Sequence, residues 1–503
     1  MPKKFRKVLV ANRGEIAVRV IRACREMGII SATVYSEVDR KALHVRLADE
    51  AYYIGDAHPS SSYLNIEKII EVARKCDAEA LHPGYGFLAE NSRLVKRCEE
   101  EGIIFIGPPS ESMEVMGKKT ASRTKMAAAG VPIIPGTLEP IEGEKELEEA
   151  AEKIGFPVLL KASAGGGGKG LRLVERKVDL ASAFQLARSE AESSFDDPAV
   201  YIEKYIDEPH HIEVQILSDN FGNTVFLGER ECSIQRRYQK VLEETPSPFL
   251  DEKKRHEMGR VAVKAAEAVG YRNAGTVEFV VDKNKNFYFL EMNTRLQVEH
   301  PVTEMVTGID LVKSQIEIAA GLALPFSQGD ITPRGHSLQC RIYAEDPDND
   351  FLPSPGKIVH FRPPSGGLGV RDDNGVYEGY EVPMEYDPLL SKLITWGQTR
   401  TDAIHRMLRA LSEYQIYGIK TTIPFFKRIL LHPKFIEGDY NTHFIPDLEM
   451  EEDRAHPENQ IVALIAAGIK SYSDSKAGFR FRRHTKMSKW RLQGRFQNFT
   501  SRR

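Results

Sequence analysis

Between positions 291 and 299 the chain carries a polar side chain at every second residue. These are Glu291, Asn293, Arg295, Gln297 and Glu299, with Met292, Leu296 and Val298 between them. Alternate side chains of an extended backbone share a face, so two carboxylates, two amides and a guanidinium would stand together. A half-exposed surface strand can show the same alternation. The residues just before it, Phe287, Tyr288, Phe289 and Leu290, instead predict a buried strand whose polar face needs ligands. Glu278, set among Val277, Phe279, Val280 and Val281, adds a carboxylate from the expected partner strand. Glu278, Glu291 and Asn293 are all-oxygen donors of the kind that hold Mg²⁺ against nucleotide phosphates. No His/Cys cluster is spaced for zinc. Arg295 can grip an oxyanion through paired hydrogen bonds, and Glu299 is a candidate base close to it.

Further anion chemistry is legible upstream. Ala164 is followed by Gly165, Gly166, Gly167, Gly168, Lys169 and Gly170. Glycines let a backbone present N–H groups closely to an anion, and Lys169 adds charge. The run is not a P-loop, since no Ser or Thr follows the lysine and no helix opens there. Neither it nor the stretch His82, Pro83, Gly84, Tyr85, Gly86, Phe87 meets the dinucleotide fingerprint. A glycine run is often a mobile linker; between two hydrophobic strands and followed by lysine it reads as a phosphate-covering lid. Lys161 lies in an otherwise apolar strand and needs a partner, either a carboxylate or a phosphate. Lys119 alone reads as a solvated helix residue. His211 and Glu213 alternate in another strand, and the basic run at 230–240 is expected to bind an anionic substrate.

Such groups need rigid elements to aim them, and 503 residues suggest about three domains. Over 1–107, short apolar runs at 7–11, 29–35, 80–81 and 103–106 alternate with helical patterns at 15–27, 66–75 and 92–101, which predicts a doubly wound parallel sheet. Asn12 and Glu15 read as an N-cap pair for the first helix. From about 116 the pattern changes to strands around the glycine run and to hairpins turning at 219–223 and 283–285, an α+β arrangement. A third region, about 335–445, mixes Pro/Gly turns with a helix at 402–414.

Net charge is −3, which argues against an electrostatic nucleic-acid binder. Five scattered cysteines with no CxxC pair fit a reducing compartment and exclude a disulfide framework. No signal peptide and no apolar run of ~20 residues is present, so a cytoplasmic protein without membrane association is expected. Positions 475–503 hold ten Lys or Arg and no acid, interleaved with Phe479, Phe481, Trp490, Phe496 and Phe499. That tail reads equally as a solvated segment or a docking segment.

Taken in order, ANRGEIAVR, HPGYGFLAEN, KASAGGGGKG, GERECSIQRRYQK, EMNTRLQVEHPVTE, RIYAEDP and FLPSPGKI resemble the biotin carboxylases, the ATP-grasp component of biotin-dependent carboxylases. The resemblance runs from about residue 7 to 448. It implies an N-terminal doubly wound domain at 1–115 and an ATP-grasp domain at 116–334 with its lid at about 133–206. A mixed α/β C-terminal domain would follow at 335–448, then a basic extension at 449–503. It also implies that Lys119, Lys161, Gly165, Gly166, Gly167 and Gly168 hold ATP phosphates, and that Glu203, Lys204, His211 and Gln235 line the nucleotide pocket. Glu278, Glu291 and Asn293 would hold Mg²⁺ or Mn²⁺. Lys240, Arg295, Gln297 and Val298 would bind bicarbonate, Glu299 would be the general base, and Arg341 would stabilise the biotin enolate.

Tyr238 stands where many members have histidine. No Ala-Met-Lys-Met biotin-attachment sequence occurs, and His484, Thr485, Lys486, Met487 is only a shadow of one. Biotin is therefore expected as a substrate on a separate carrier protein, with carboxyltransferase subunits as further partners and a homodimer as the family's assembly. The resulting reading is the first half-reaction of an acetyl-CoA or other acyl-CoA carboxylase. The alternative is the biotin-carboxylating component of a two-subunit pyruvate or other 2-oxo acid carboxylase. Remoter readings are another ATP-grasp carboxylate ligase, or a non-catalytic nucleotide-binding module with a nucleic-acid-binding tail.

Overall fold

The computed structural model of the chain describes residues 4–162, 171–195 and 198–453. The expectations for Gly165, Gly166, Gly167, Gly168 and the basic tail lie outside the described residues.

Lys7–Val10, Ile30–Ser36, Glu50–Gly55, Ala80–His82 and Ile104–Phe105 form a five-stranded parallel sheet. In space the order is third, second, first, fourth, fifth, the doubly wound arrangement. Val8, Leu9 and Val10 are wholly buried, as a parallel strand covered on both faces requires. The helix Gly14–Glu26 turns Ile16, Val20 and Ala23 into the core as their spacing predicts.

Its start differs from expectation. Arg13 occupies the N-cap without a side-chain cap. Asn12 Nδ2 instead donates to the carbonyls of Pro83 (2.6 Å) and Tyr85 (2.8 Å), tying the His82–Phe87 loop to the end of the first strand. Glu15 points to the fully buried Lys392, 3.1 Å away. Long-range partners have overridden the local cap.

The second sheet has eight antiparallel strands. In spatial order they are Phe287–Asn293, Asn273–Val281, His210–Ser218, Thr224–Arg236, Gln239–Thr245, His336–Tyr343, Leu389–Gly397 and Val370–Asn374. Both expected hairpins are present: Thr224 faces Ser218 and Val281 faces Phe287. The sheet continues across position 334, because Leu242 pairs with Cys340. The helix Glu252–Ala268 packs Met258, Ala262 and Ala265 onto Ile212, Val214 and Phe279.

A third, small antiparallel sheet joins Leu171–Val174, Val158–Ala162 and Val200–Lys204. The helices Glu144–Ile154 and Leu180–Phe195 cover it through Leu147, Ala151, Phe184 and Ala187, giving it a core of its own. All five cysteines are buried and free. Among the described residues no helix is long and apolar enough to cross a membrane.

Candidate active site

A cavity of about 550 Å³ lies between the small sheet and one face of the large one. Glu278 and Glu291 stand opposite each other across its floor, in register on the antiparallel pair Asn273–Val281 and Phe287–Asn293. Glu278 is buried. Its Oε1 accepts from Lys240 Nζ, Asn293 Nδ2 and Gln297 Nε2, each at 2.8 Å, and its Oε2 pairs with His211 Nε2 at 2.8 Å. Burial alone would raise its pKa, but Lys240 and His211 hold it well below the usual carboxylate range. The Glu291 carboxylate opens onto the cavity and makes no side-chain hydrogen bond or ion pair among the described residues. The surrounding protein and the facing Glu278 push its pKa up. Two facing carboxylates, one without a counter-ion, together with the Asn293 amide oxygen, fit a hard divalent cation.

Lys240 Nζ donates to three carboxylates: Glu213, Glu278 and Glu299. Burial works against its charge, yet those neighbours raise its pKa well above the ordinary lysine value. Glu299 accepts Lys240 on Oε1 at 2.8 Å and Arg341 Nη2 on Oε2 at 3.0 Å. It is fully enclosed, and against that burial Lys240, Arg341 and Arg230 keep it ionised, below the usual carboxylate range. Arg341 also donates through Nε to Glu243 Oε1 at 2.6 Å. Burial pushes Glu243 up to about 7, opposed by Arg341.

Expected alternation along 291–299 holds only to Asn293, where the strand ends. Beyond it the chain turns into the helix His300–Thr307, which has Pro301 in its first turn. Glu90 causes the departure: its Oε1 takes the Thr294 N–H (2.9 Å) and its Oε2 takes Arg295 Nε (2.9 Å). Arg295, Gln297, Val298 and Glu299 still line the cavity, delivered by a turn instead of a strand face.

At the other end, Lys161 and Arg123 both pair with Glu203, so the lysine has the carboxylate partner its burial demanded. Lys119, whose pKa burial lowers, lines the same wall with Tyr201, His211 and Gln235. Lys204 is absent from that wall. Its Nζ donates to the carbonyls of Gly155 (2.9 Å) and Phe156 (3.0 Å), because strand alternation sends Tyr201 and Glu203 to one face and Lys204 to the other. The basic run also divides. Only Lys240 of its cations lines the cavity; Arg230 is wholly buried, and Arg236 and Arg237 pair with Asp350.

Glu90, Arg123, Arg230 and Glu243 were not singled out as site residues from the sequence. Arg123 carried a signal, one helical turn after Lys119. Glu243 carried none, because regular alternation puts it on the face opposite Lys240, and only the register shift between Ile234 and Gln235, which leaves Val241 unmatched on Gln239–Thr245, brings the two to one side.

A small sheet closing over the acid-lined face of a larger one, with lysines at one end and facing carboxylates between, is the architecture of an ATP-grasp ligase. The chain matches known families in three segments. Residues 4–113 match the biotin carboxylase N-terminal domain, 118–327 the ATP-binding domain of the carbamoyl-phosphate synthase L chain, and 339–447 the biotin carboxylase C-terminal domain. A pyruvate carboxylase subunit of Methanothermobacter thermautotrophicus is 54% identical over 492 residues, covering 94% of this chain and 100% of that protein. Biotin carboxylase 1 of Bacillus subtilis is 54% identical over 442 residues, 88% of this chain and 98% of that one. Among solved structures, the biotin carboxylase domain of the Hydrogenobacter thermophilus 2-oxoglutarate carboxylase, in complex with MgADP, ADP and bicarbonate, is 49% identical. It covers 88% of this chain and 98% of that one, with a TM-score of 0.83. The chain belongs to the biotin carboxylase family and is an ATP-dependent ligase.

Proposed function

We propose that this chain carboxylates biotin held on a separate carrier protein, using ATP and bicarbonate and passing through carboxyphosphate. The observation that carries the reading is Glu299, ionised between Lys240 and Arg341 in a cavity that also contains the Glu278–Glu291 pair and the Lys161–Glu203 end. Lys119, Lys161 and the glycines at 165–168 hold the ATP phosphates, beside His211, Gln235 and Glu203. Glu278, Glu291 and Asn293 hold Mg²⁺ or Mn²⁺, which supplies charge neutralisation on the phosphates.

Bicarbonate lies against Arg295, Lys240, Gln297 and Val298. Glu299 in its resting contacts is a weak base, with a cation on each oxygen. When bicarbonate takes up a donor from Lys240, Glu299 shares that cation and its proton affinity rises. It then removes the bicarbonate proton, the oxyanion attacks the γ-phosphorus, and ADP leaves. Carboxyphosphate breaks down to CO₂ and phosphate, the phosphate takes the biotin N–H proton, and the nitrogen attacks CO₂. Arg341, always charged, holds the enolate formed on the way. The small sheet, standing over the cavity, excludes water from the intermediate. The division into an N-terminal domain, an ATP-grasp domain with lid and a C-terminal domain belongs to this reading, as do a homodimer, a biotin carboxyl carrier protein and carboxyltransferase subunits as partners.

ADP release from MgATP with bicarbonate, measured with and without free biotin, tests it. Strong stimulation by biotin that vanishes in Glu299→Gln supports the half-reaction; turnover independent of bicarbonate would sink it.

For the final acceptor, one observation favours a 2-oxo acid over an acyl-CoA. The match to the Methanothermobacter pyruvate carboxylase protein covers 94% of the chain against 88% for the biotin carboxylase 1 match. It therefore reaches about 30 residues further, into the region after the shared catalytic part. Carboxylation assays on the purified assembly with pyruvate and with acetyl-CoA decide between them, and product from acetyl-CoA alone would reverse the preference.

A further inference from the structure

Arg230 is the largest fully buried side chain among the described residues, and nothing in its help in keeping Glu299 ionised calls for so many hydrogen bonds. Its strand, Thr224–Arg236, runs beneath the cavity, and its guanidinium reaches four other segments. Nε donates to Glu213 Oε1. Nη1 donates to Gln215 Oε1 (2.7 Å) and Thr303 Oγ1 (3.1 Å), and Nη2 to Thr276 Oγ1 (3.1 Å) and Gln297 Oε1 (2.8 Å). Five N–H donors meet five acceptors, the full capacity of the group.

Gln297 is thereby caught between neighbours of opposite character. A guanidinium only donates, so the amide oxygen must face Arg230. An ionised carboxylate only accepts, so the amide nitrogen must face Glu278, where Nε2 to Oε1 is 2.8 Å. One amide hydrogen serves Glu278, and the other is left for the cavity that Gln297 lines. A reversed amide would turn its oxygen toward a bound anion and repel it.

We propose that Arg230 is a positioning residue for anion binding: by holding the carbonyl of Gln297 inward, it fixes the amide as a donor toward bicarbonate. This rests on the reading that bicarbonate lies against Gln297. Arg230 also fixes Glu213, whose other oxygen receives Lys240, so one buried cation orients two parts of the same subsite. A lysine at 230 retains the charge but has too few donors in the wrong plane to hold all five acceptors.

The test is a double-mutant cycle on bicarbonate-dependent ATP cleavage by the full chain, reading KM for bicarbonate and KM for ATP separately. Gln297→Ala and Arg230→Lys should each raise KM for bicarbonate about tenfold or more, the usual cost of losing a hydrogen bond to a charged group, with KM for ATP unchanged. The double variant should fall clearly short of the product of the two single effects, any excess over Gln297→Ala being the part carried through Glu213 and Lys240. Thr303→Val, which loosens the guanidinium without stranding a charge, should raise it a few-fold, and the same cycle with it decides the matter if Arg230→Lys does not fold. Additive effects, or both KM values moving together with the melting temperature, would overturn the positioning role while leaving the bicarbonate reading intact. An unchanged KM for bicarbonate in Gln297→Ala would overturn both.

Discussion

Glu299 shows how a residue's chemistry is set by its neighbours. A glutamate with Lys240 on one oxygen and Arg341 on the other is ionised at any working pH, and catalysis depends on substrate sharing those cations. Glu299→Gln keeps the shape and removes the base. ATP cleavage should fall about 100-fold or more, with nucleotide binding by calorimetry unchanged. Lys240 is the more structural of the pair, since three carboxylates converge on it. Lys240→Met leaves them buried without their shared cation, and denaturant unfolding should show a loss of about 3–5 kcal/mol. Residue type and spacing identified Glu299 as a candidate base, whereas Lys240 stood out individually only through the family resemblance. Their mutual contact joins segments 59 positions apart, and the intervention of Glu90 that turns the chain at Thr294 joins segments more than 200 apart.

Single elements are positioned by close backbone approaches as much as by side chains. Gly375 lies against the start of the helix Gly14–Glu26, where an added Cβ would sit 2.6 Å from Glu15 N and 2.8 Å from the Gly14 carbonyl carbon. Backbone cannot swing aside as a side chain can, so Gly375→Ala should destabilise by about 1–3 kcal/mol, read as a lower melting temperature. The helix itself was legible from the spacing of Ile16, Val20 and Ala23. Its start was not, because Asn12 and Glu15 take partners at 83, 85 and 392. Strand alternation separates Tyr201 and Glu203 from Lys204, which the resemblance had placed together, and a bulge changes its phase on Gln239–Thr245.

For the molecule as a whole, opposing titrations shape stability. Burial pushes Glu15 and Glu243 up to about 7. Their contribution is present below the unfolded glutamate pKa and lost as pH rises through 7. Burial pulls His44 and His82 down to about 4; theirs is present above the unfolded histidine pKa and lost as pH falls toward 4. The two pairs are displaced by similar amounts in opposite senses, so melting temperature should be nearly flat from about pH 4.5 to 6.5. Below that range the depressed carboxylates take over: despite its burial, His336 and Arg400 hold Glu244 at about 2, Glu278 and Glu299 are held below the usual range by their cations, and these contributions disappear as pH falls. A steep loss of melting temperature beginning only below about pH 4.5 is the expected calorimetric result, and a steady decline from pH 6.5 would contradict it. Chelation supplies a second whole-molecule check. Removing divalent cation should abolish ATP cleavage, and Glu291→Gln should raise the Mg²⁺ concentration needed for half-maximal rate.

The sequence by itself determined the class of chemistry and the kinds of element. Carboxylates, amides and lysines among apolar neighbours carry their meaning in residue type, and the periods 2 and 3.6 are local properties of the chain. The tertiary structure alone decided which of those groups meet. Buried cations took partners in other segments, so Arg230 went to Glu213 and Gln297, and Lys204 left the cavity wall. Such pairings are settled by desolvation in the packed interior, where sequence separation has no bearing on distance.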